Sequence, residues 1–189
     1  MRQLNPMLTD EEVKMVTDQL VLKSYKKNDY FIREGQVPQE IGFCVKGAFR
    51  QFYRKQDKEV NCNFMLEYDF LVAYASMLRH EPSRYYIQAL EDCEILSYST
   101  TNSEELYCST RNWERYGRHV AQWVVLQLND QLEALQFSNA KERYNDLLAK
   151  HSNWLGRIPL KYIATYLGIE QETLSRLRAK STVRQEVLR

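Results

Sequence analysis

The chain lacks the long apolar segments by which membrane and secreted proteins are recognised. None of its 189 residues belongs to an apolar run approaching the ~20 residues that a membrane-spanning helix needs. The first residues, MRQLNPMLTDEEV, contain no apolar core of the kind found in signal peptides. We therefore expect a cytoplasmic protein that does not bind a membrane.

Cysteine is scarce, and its spacing excludes two common kinds of site. The chain has four cysteines, which are Cys44, Cys62, Cys93 and Cys108. They form no C-x-x-C pair, so neither a zinc site nor a redox motif is indicated. We interpret them as buried, reduced thiols.

The overall balance of charge hides an asymmetry along the chain. The net charge is +1, but residues 138–189 hold ten Lys or Arg against five Asp or Glu. A basic C-terminal third therefore follows a mildly acidic body. This arrangement fits a contact with nucleic acid at one end of the protein. The length, with 44% hydrophobic residues, suits two compact folded units.

The first half of the chain shows a short helix followed by many short strands. Residues 8–20 are amphipathic, with Thr9 and Glu12 spaced as a capping box. From about residue 21 to 99, segments rich in β-branched and aromatic residues alternate with turns, and Gln56-Asp57-Lys58 looks like a hairpin tip. This pattern predicts a sandwich or jelly-roll barrel. Residues 66–78 leave open whether a short helix interrupts the strands.

A long helix is predicted to begin at Ser103 or Asn112 and to end at Phe137. Five apolar residues recur at spacings of three and four, and two tryptophans lie beside them. The five are Val120, Val124, Leu128, Leu132 and Leu135, and the tryptophans are Trp113 and Trp123. Such a stripe between two domains is typical of the seam of a symmetric coiled-coil dimer. The alternative is that the stripe packs only on its own domain.

Residues 160–180, LKYIATYLGIEQETLSRLRAK, have the pattern of two packed helices joined by a tight turn. Ala164 is small where the helices must cross, and Gly168 stands at the turn. The expected inner face is apolar and consists of Ile163, Leu167, Ile169, Leu174 and Leu177. An ordinary helical hairpin would share much of this pattern. Because basic residues also lie on the outer side of the second helix, we interpret the segment as a helix-turn-helix that binds DNA.

The order of β-roll, long helix and helix-turn-helix resembles the CRP/FNR family of bacterial transcription regulators. The phrase RIPLKYIATYLGIEQETLSRLRAK is similar to the motif of Bacteroidetes members. The resemblance implies an α+β fold: an N-terminal double-stranded β-helix (jelly-roll, cyclic-nucleotide-binding-like) domain over residues 1–111, a dimerisation helix over 112–137, and a helix-turn-helix domain over 138–189. Only nine residues follow Lys180, so we expect that domain to lack a full wing.

The resemblance also implies the partners. A homodimer would bind double-stranded DNA at an inverted-repeat operator, with half-site centres ~10 bp apart. RNA polymerase is a further candidate partner, because an activator must contact it.

The family's base-contacting segment falls on the start of the second helix of the motif. Arg176 is the candidate for a bidentate contact to guanine, and Glu172 for a contact to cytosine. Gln171 stands in place of the family's usual arginine, so the preferred DNA sequence should differ. The candidate phosphate contacts are Thr173, Ser175, Arg178 and Lys180. For the last two, the alternative is solvated charge near the helix C-terminus.

The sensor half departs from the cyclic-nucleotide-binding members of the family. Those members use a glycine–glutamate pair and an arginine–serine pair to hold the ribose and the cyclic phosphate. Val72 and Ala73 stand where the first pair is expected, and Ser83 and Arg84 where the second is expected. We therefore do not expect cyclic AMP binding. Arg79 and Arg84 remain candidates for a small anionic ligand in another pose, and the alternative is a ligand-free, structural roll.

An enzyme of the cupin type is the least favoured interpretation. A metal site in a jelly roll usually needs two or three histidines and a carboxylate on neighbouring strands. His80, His119 and His151 instead fall in three different parts of the chain. We expect no catalysis, no metal and no cofactor.

Overall fold

The computed structural model describes residue 1 and residues 5–186, with side chains described up to residue 179. Its strands are β1 (Val21–Tyr25), β2 (Tyr30–Ile32), β3 (Glu40–Lys46), β4 (Phe49–Lys55), β5 (Lys58–Met65), β6 (Phe70–Leu71), β7 (Tyr86–Ala89) and β8 (Cys93–Ser99). Its helices are α1 (Asp10–Thr17), α2 (Tyr74–Arg79), α3 (Thr100–Ser109), α4 (Arg111–Phe137), α5 (Ala140–Lys150), α6 (Trp154–Arg157), α7 (Leu160–Tyr166) and α8 (Gln171–Glu186). Among the described residues, no helix is long and apolar enough to cross a membrane.

The strands form the jelly roll that the sequence predicts. They make two four-stranded antiparallel sheets, in the orders β1-β8-β3-β6 and β2-β7-β4-β5. The inner faces enclose an apolar core that includes Phe49, Leu71, Ile87 and Ile95. The predicted hairpin tip is confirmed, because β4 and β5 are joined at Gln56 and Asp57, which both have positive φ.

The segment left open over residues 66–78 contains both kinds of structure. The short edge strand β6 pairs with β3 and is followed by the single helix α2. Ala73 precedes α2 and is buried in the roll core, so the helix begins where the chain leaves the sheet.

Helix α1 is tied to the start of the long helix. The predicted capping box is present, with Thr9 and Glu12 each accepting a backbone N–H of the other. The Glu12 carboxylate also accepts hydrogen bonds from the hydroxyl of Thr110 and the amide of Asn112. These hydrogen bonds lower the pKa of Glu12. Helix α1 therefore depends on a charged carboxylate at the base of α4.

The long helix α4 is present and begins at Arg111, next to Asn112, the second of the two expected starts; one expectation about its first turns needs correction. Helices α3 and α4 are separate, because Thr110 is extended (ψ 156°) and its side chain caps α4 by accepting the N–H of Trp113. Trp113 is 1% exposed and packs edge-on against Tyr116 inside its own subunit. It is therefore part of the roll-side core and is not available to a dimer seam.

The C-terminal part contains one helix more than the sequence indicates. Helix α5 begins with a capping box formed by Asn139 and Glu142. The four-residue helix α6 was missed, because a single turn carries no periodicity that could reveal it. Pro159 is the cap residue of α7.

The cysteines are only partly as expected. All four thiols are free, and Cys44 and Cys93 are buried in the roll. Cys62 is half-buried, and burial raises the pKa of its thiol to about 12. Cys108 is exposed, which corrects the expectation of four buried thiols; it lies in the last turn of α3, on the side that faces solvent.

Candidate nucleic-acid interface

Helices α7 and α8 pack as the sequence predicts for a helix-turn-helix. Ile163, Ala164, Leu167 and Leu174 are buried between them. Gly168 stands at the turn with φ +66°, and a Cβ built there would meet nothing within 4 Å. Glycine is therefore needed at this position for its backbone conformation rather than for space.

The candidate base-reading residues lie together on one open face of α8. Gln171, Glu172, Ser175 and Arg176 are all exposed. Their positions at i, i+1, i+4 and i+5 place them on the same side of the helix. Because Leu174 on the opposite side is fully buried, this face is fixed by the packing of α8 on α7.

The four candidate phosphate-contacting residues are not equivalent in the structure. Ser175 lies on the open face, between the residues proposed to read bases. Thr173 is half-buried, and its hydroxyl accepts a hydrogen bond from Arg176 at 3.2 Å. Arg178 is exposed. The Lys180 side chain lies outside the described residues.

Part of the basic charge of the C-terminal third is used inside the protein. Arg143 donates to the backbone carbonyls of Leu167 and Ser138 and so holds the end of α7. Arg157 pairs with carboxylates of the roll, and Lys150 pairs with Asp146 within α5. The number of basic residues alone does not distinguish those that make contacts inside the protein from those whose charge is exposed on the surface.

Seven large apolar side chains of α4 are each at least half exposed. At about 100° per residue, Val125, Leu128, Leu132 and Leu135 fall on one face and form an apolar stripe, whereas Trp123, Leu126 and Phe137 fall on the other side of the helix. Of the sequence-predicted seam residues, Val120 and Val124 are half-buried, and Val120 packs against the core beside Trp113. Val125 lies on the same face and was missed, although an apolar residue three positions before Leu128 was a signal that could have included it.

The residues proposed to line a ligand pocket do not share one environment. Arg79 and Arg84 are exposed, Val72 is half-buried, and Ala73 belongs to the roll core. The buried hydroxyl of Ser83 donates to the carbonyl of Tyr85 and accepts its N–H, both at 3.0 Å. The hydrogen bonds of the Ser83 hydroxyl are therefore made within its own turn.

The histidines remain apart in the fold. His80 ends α2 and has its ring 3.6 Å from Glu104, His119 lies within α4, and His151 ends α5. In the part of the chain that the structure describes, no cluster of three His, Cys, Asp or Glu is arranged to hold a metal ion.

Comparisons of the sequence and of the structure both find known proteins that share this architecture. Residues 22–108 match the sequence model of the cyclic nucleotide-binding domain. The structure is similar to FixK2 from Bradyrhizobium japonicum, with a TM-score of 0.76 and 19% identity over 88% of this chain and 86% of that one. It is also similar to a protein of the CRP/FNR family from Eubacterium rectale, with a TM-score of 0.70 and 16% identity over 96% of this chain and 87% of that one. The chain has the CRP/FNR fold.

A third similar structure is the catabolite activator protein of Thermus thermophilus, with a TM-score of 0.60 and 18% identity over 96% of this chain and 87% of that one. No curated protein matches the chain in sequence. In this CRP/FNR fold, the matched domain begins in β1 and ends in α3, so it comprises the roll and the helix that leads to α4.

Proposed function

We propose that the protein is a dimeric, sequence-specific DNA-binding transcription regulator. The observation that carries the proposal is the open face of α8, where Gln171, Glu172 and Arg176 lie side by side on a helix held by a buried core. These residue types are suited to reading base edges in the major groove. Ser175, Thr173, Arg178 and Lys180 would contact the DNA backbone and fix the register.

The exposed stripe of α4 supports the dimer. Val125, Leu128, Leu132 and Leu135 share one face of α4 and are each more than half exposed, which is unfavourable for a protein that stays monomeric in water. A second copy of the same helix would cover them by two-fold symmetry. In this division, residues 1–111 form the sensor domain, 112–137 the dimerisation helix and 138–189 the DNA-binding domain.

For the roll we propose a signal other than cyclic AMP. Val72 and Ala73 offer no carboxylate to a ribose, and Ser83 is engaged by its own turn. The exposed guanidinium groups of Arg79 and Arg84 leave a small anion as the candidate ligand. The second candidate, favoured by the engaged Ser83, is a ligand-free roll with a structural role. A thermal-shift screen with nucleotides and anions separates the two, because a ligand that binds only the folded state raises Tm.

The DNA-binding function is tested by selecting fragments from random-sequence DNA at about 150 mM salt, where non-specific phosphate binding is weakened. We expect a two-fold symmetric motif with half-site centres ~10 bp apart. The comparison variant is Arg176→Ala, which should lose the base preference at one position of the motif. Selection of no motif by the wild type, with and without cell metabolites, would count against the proposal.

A further inference from the structure

The DNA-binding domain and the roll share one hydrophobic core. Ala48, Phe64 and Leu66 from the roll are buried in the same cluster as Tyr144, Leu147, Trp154, Ile158, Ile163, Ala164, Leu167 and Leu174. We call the roll side of this contact the seat; it comprises Arg50, Asn61, Phe64, Glu67 and Glu91. Helix α7 lies directly over β5, the strand that carries Asn61 and Phe64.

The centre of the contact is aromatic. Phe64 is 2% exposed and meets Trp154 and Tyr166, with ring centroids 5.0 and 5.8 Å away. Phe64 lies on a strand of the roll, whereas both of its partners belong to the C-terminal domain. Moving that domain away would expose all three rings to water, which is unfavourable because their apolar surface is buried in the contact.

Arg50 forms a second, charged part of the seat. It is 3% exposed, and its guanidinium donates to Gln88 and Glu59 at 2.6 to 2.9 Å. One face of the guanidinium lies 3.9 Å from the ring centroid of Phe52, and Tyr162 of α7 stands over it at 4.2 Å. The ring of Tyr162 thus helps to cover a buried cation that would otherwise meet water.

Polar contacts fix the position of the C-terminal domain on the roll. The amide nitrogen of Asn61 donates to the hydroxyl of Thr165 at 2.8 Å. Arg157 holds both oxygens of Glu67, at 2.5 and 3.0 Å, and also donates to Glu91. Such a two-pronged contact fixes direction as well as distance.

Two further contacts join the long helix α4 to the region where the C-terminal domain meets the roll. Gln131 of α4 donates to the backbone carbonyl of Cys62 in β5 at 3.0 Å. Arg143, just beyond the end of α4, reaches both Ser138 and the end of α7. The strand β5, the dimerisation helix and α7 therefore meet at one junction.

None of these contacts covers the open face of α8. Gln171, Glu172 and Arg176 stay exposed while α7 is seated. A contact that masked the reading residues would have indicated an inhibited state. This one instead fixes the direction of α8 relative to the roll and α4, and leaves its DNA-facing side free.

We propose that the seat is the positioning surface of the DNA-binding domain. The seated arrangement is the one that binds the operator, and it sets the distance between the two recognition helices of the dimer. Arg157 and Thr165 are the positioning residues on the domain side. The inference rests on the proposed function, because it concerns how the same DNA site is presented.

The test compares two weakened seats with a matched control. Arg157→Gln removes the pairs with Glu67 and Glu91, and Thr165→Val removes the hydroxyl that Asn61 binds. The control, Lys150→Gln, removes an ion pair of 3.1 Å that lies wholly within α5. Kd is measured for the selected operator, for operators with the half-sites moved by one to three base pairs, and for a single half-site.

We expect both seat variants to bind the selected operator about three- to tenfold more weakly and to discriminate less among spacings. Their affinity for a single half-site should match that of the wild type, because the reading face is unchanged. Lys150→Gln should behave as the wild type in all three measurements.

Two results would overturn the inference. Tighter operator binding by the seat variants would make the seat inhibitory. A lower Tm with unchanged affinity and unchanged spacing preference would make it only structural. If the wild type itself selects no DNA, the proposed function fails, which is distinct from either result.

Discussion

At the scale of single residues, the clearest prediction about DNA binding concerns Arg176. It is exposed on the open face of α8, with Thr173 as its hydrogen-bond partner. Arg176→Ala should cost about 1–3 kcal/mol of binding free energy and relax the preference at one base step, because a bidentate contact to guanine is lost. Binding to operators altered at each position measures this. Arg178→Ala is the comparison, and it should weaken binding evenly on all sequences.

Asn61 offers a second prediction at this scale, one of stability. Its side chain is buried under α7, where the nitrogen donates to the Thr165 hydroxyl and the oxygen Oδ1 has no hydrogen-bond partner among the described residues. Thr165→Val would leave the amide with neither partner and should lower the free energy of unfolding by about 1–3 kcal/mol. Replacing both residues, as Asn61→Leu with Thr165→Val, should recover much of this loss. Urea denaturation of the three variants checks the prediction; additive losses would contradict it.

At the scale of elements, the sequence predicts best those helices whose signals are local. The caps of α1 and α5 and the turn at Gly168 depend on a few neighbouring residues, and all are present. Trp113 was assigned to the wrong surface, because a helical stripe does not show which of its residues face the same subunit. The seat was not predicted, since contacts such as that between Asn61 and Thr165 join residues 104 positions apart.

Leu132, in the apolar stripe of α4, gives the prediction for this scale. Leu132 is about half exposed and stands in line with Leu128 and Leu135. Leu132→Lys should weaken the dimer by about 3 kcal/mol or more, because each substitution occurs twice across a two-fold seam and removes a buried leucine on both sides. Sedimentation equilibrium measures the dimer Kd. Gln122→Lys, an exposed polar position on the same helix, should leave it unchanged.

At the scale of the whole molecule, the sequence predicts the order of the parts but not how they are joined. Periodicity and turns indicate a roll, a long helix and a helix-turn-helix, and the fold has all three. The basic excess of the last third was read as a surface for nucleic acid. Two of these basic side chains make contacts inside the protein: Arg157 holds that third to the roll, and Arg143 joins α5 to the end of α7. Only their neighbours in space reveal this.

The ion pair between Arg157 and Glu67 makes the contact between the C-terminal domain and the roll sensitive to low pH. Hydrogen bonding to Arg157 lowers the pKa of Glu67 from 4.5 to about 2. A carboxyl with a lowered pKa in the folded state stabilises that state above its unfolded pKa, and this stabilisation is lost as the pH falls from about 4.5 towards 2. The free energy of unfolding should therefore differ between the wild type and Glu67→Gln by a constant amount above about pH 5.5, and the difference should shrink below pH 4.5.

Chemical denaturation of both proteins at pH 7, 5, 4 and 3 measures that difference. The comparison variant is Asp146→Asn, which removes the ion pair with Lys150 on the exposed side of α5. Because that pair is solvated and joins only neighbouring turns, its removal should have a small effect at every pH. A difference between the wild type and Glu67→Gln that stayed constant down to pH 3 would show that the Glu67 carboxylate does not hold the two parts together. The seat would then depend on its aromatic centre, Phe64 with Trp154 and Tyr166, and its strength would not change with pH.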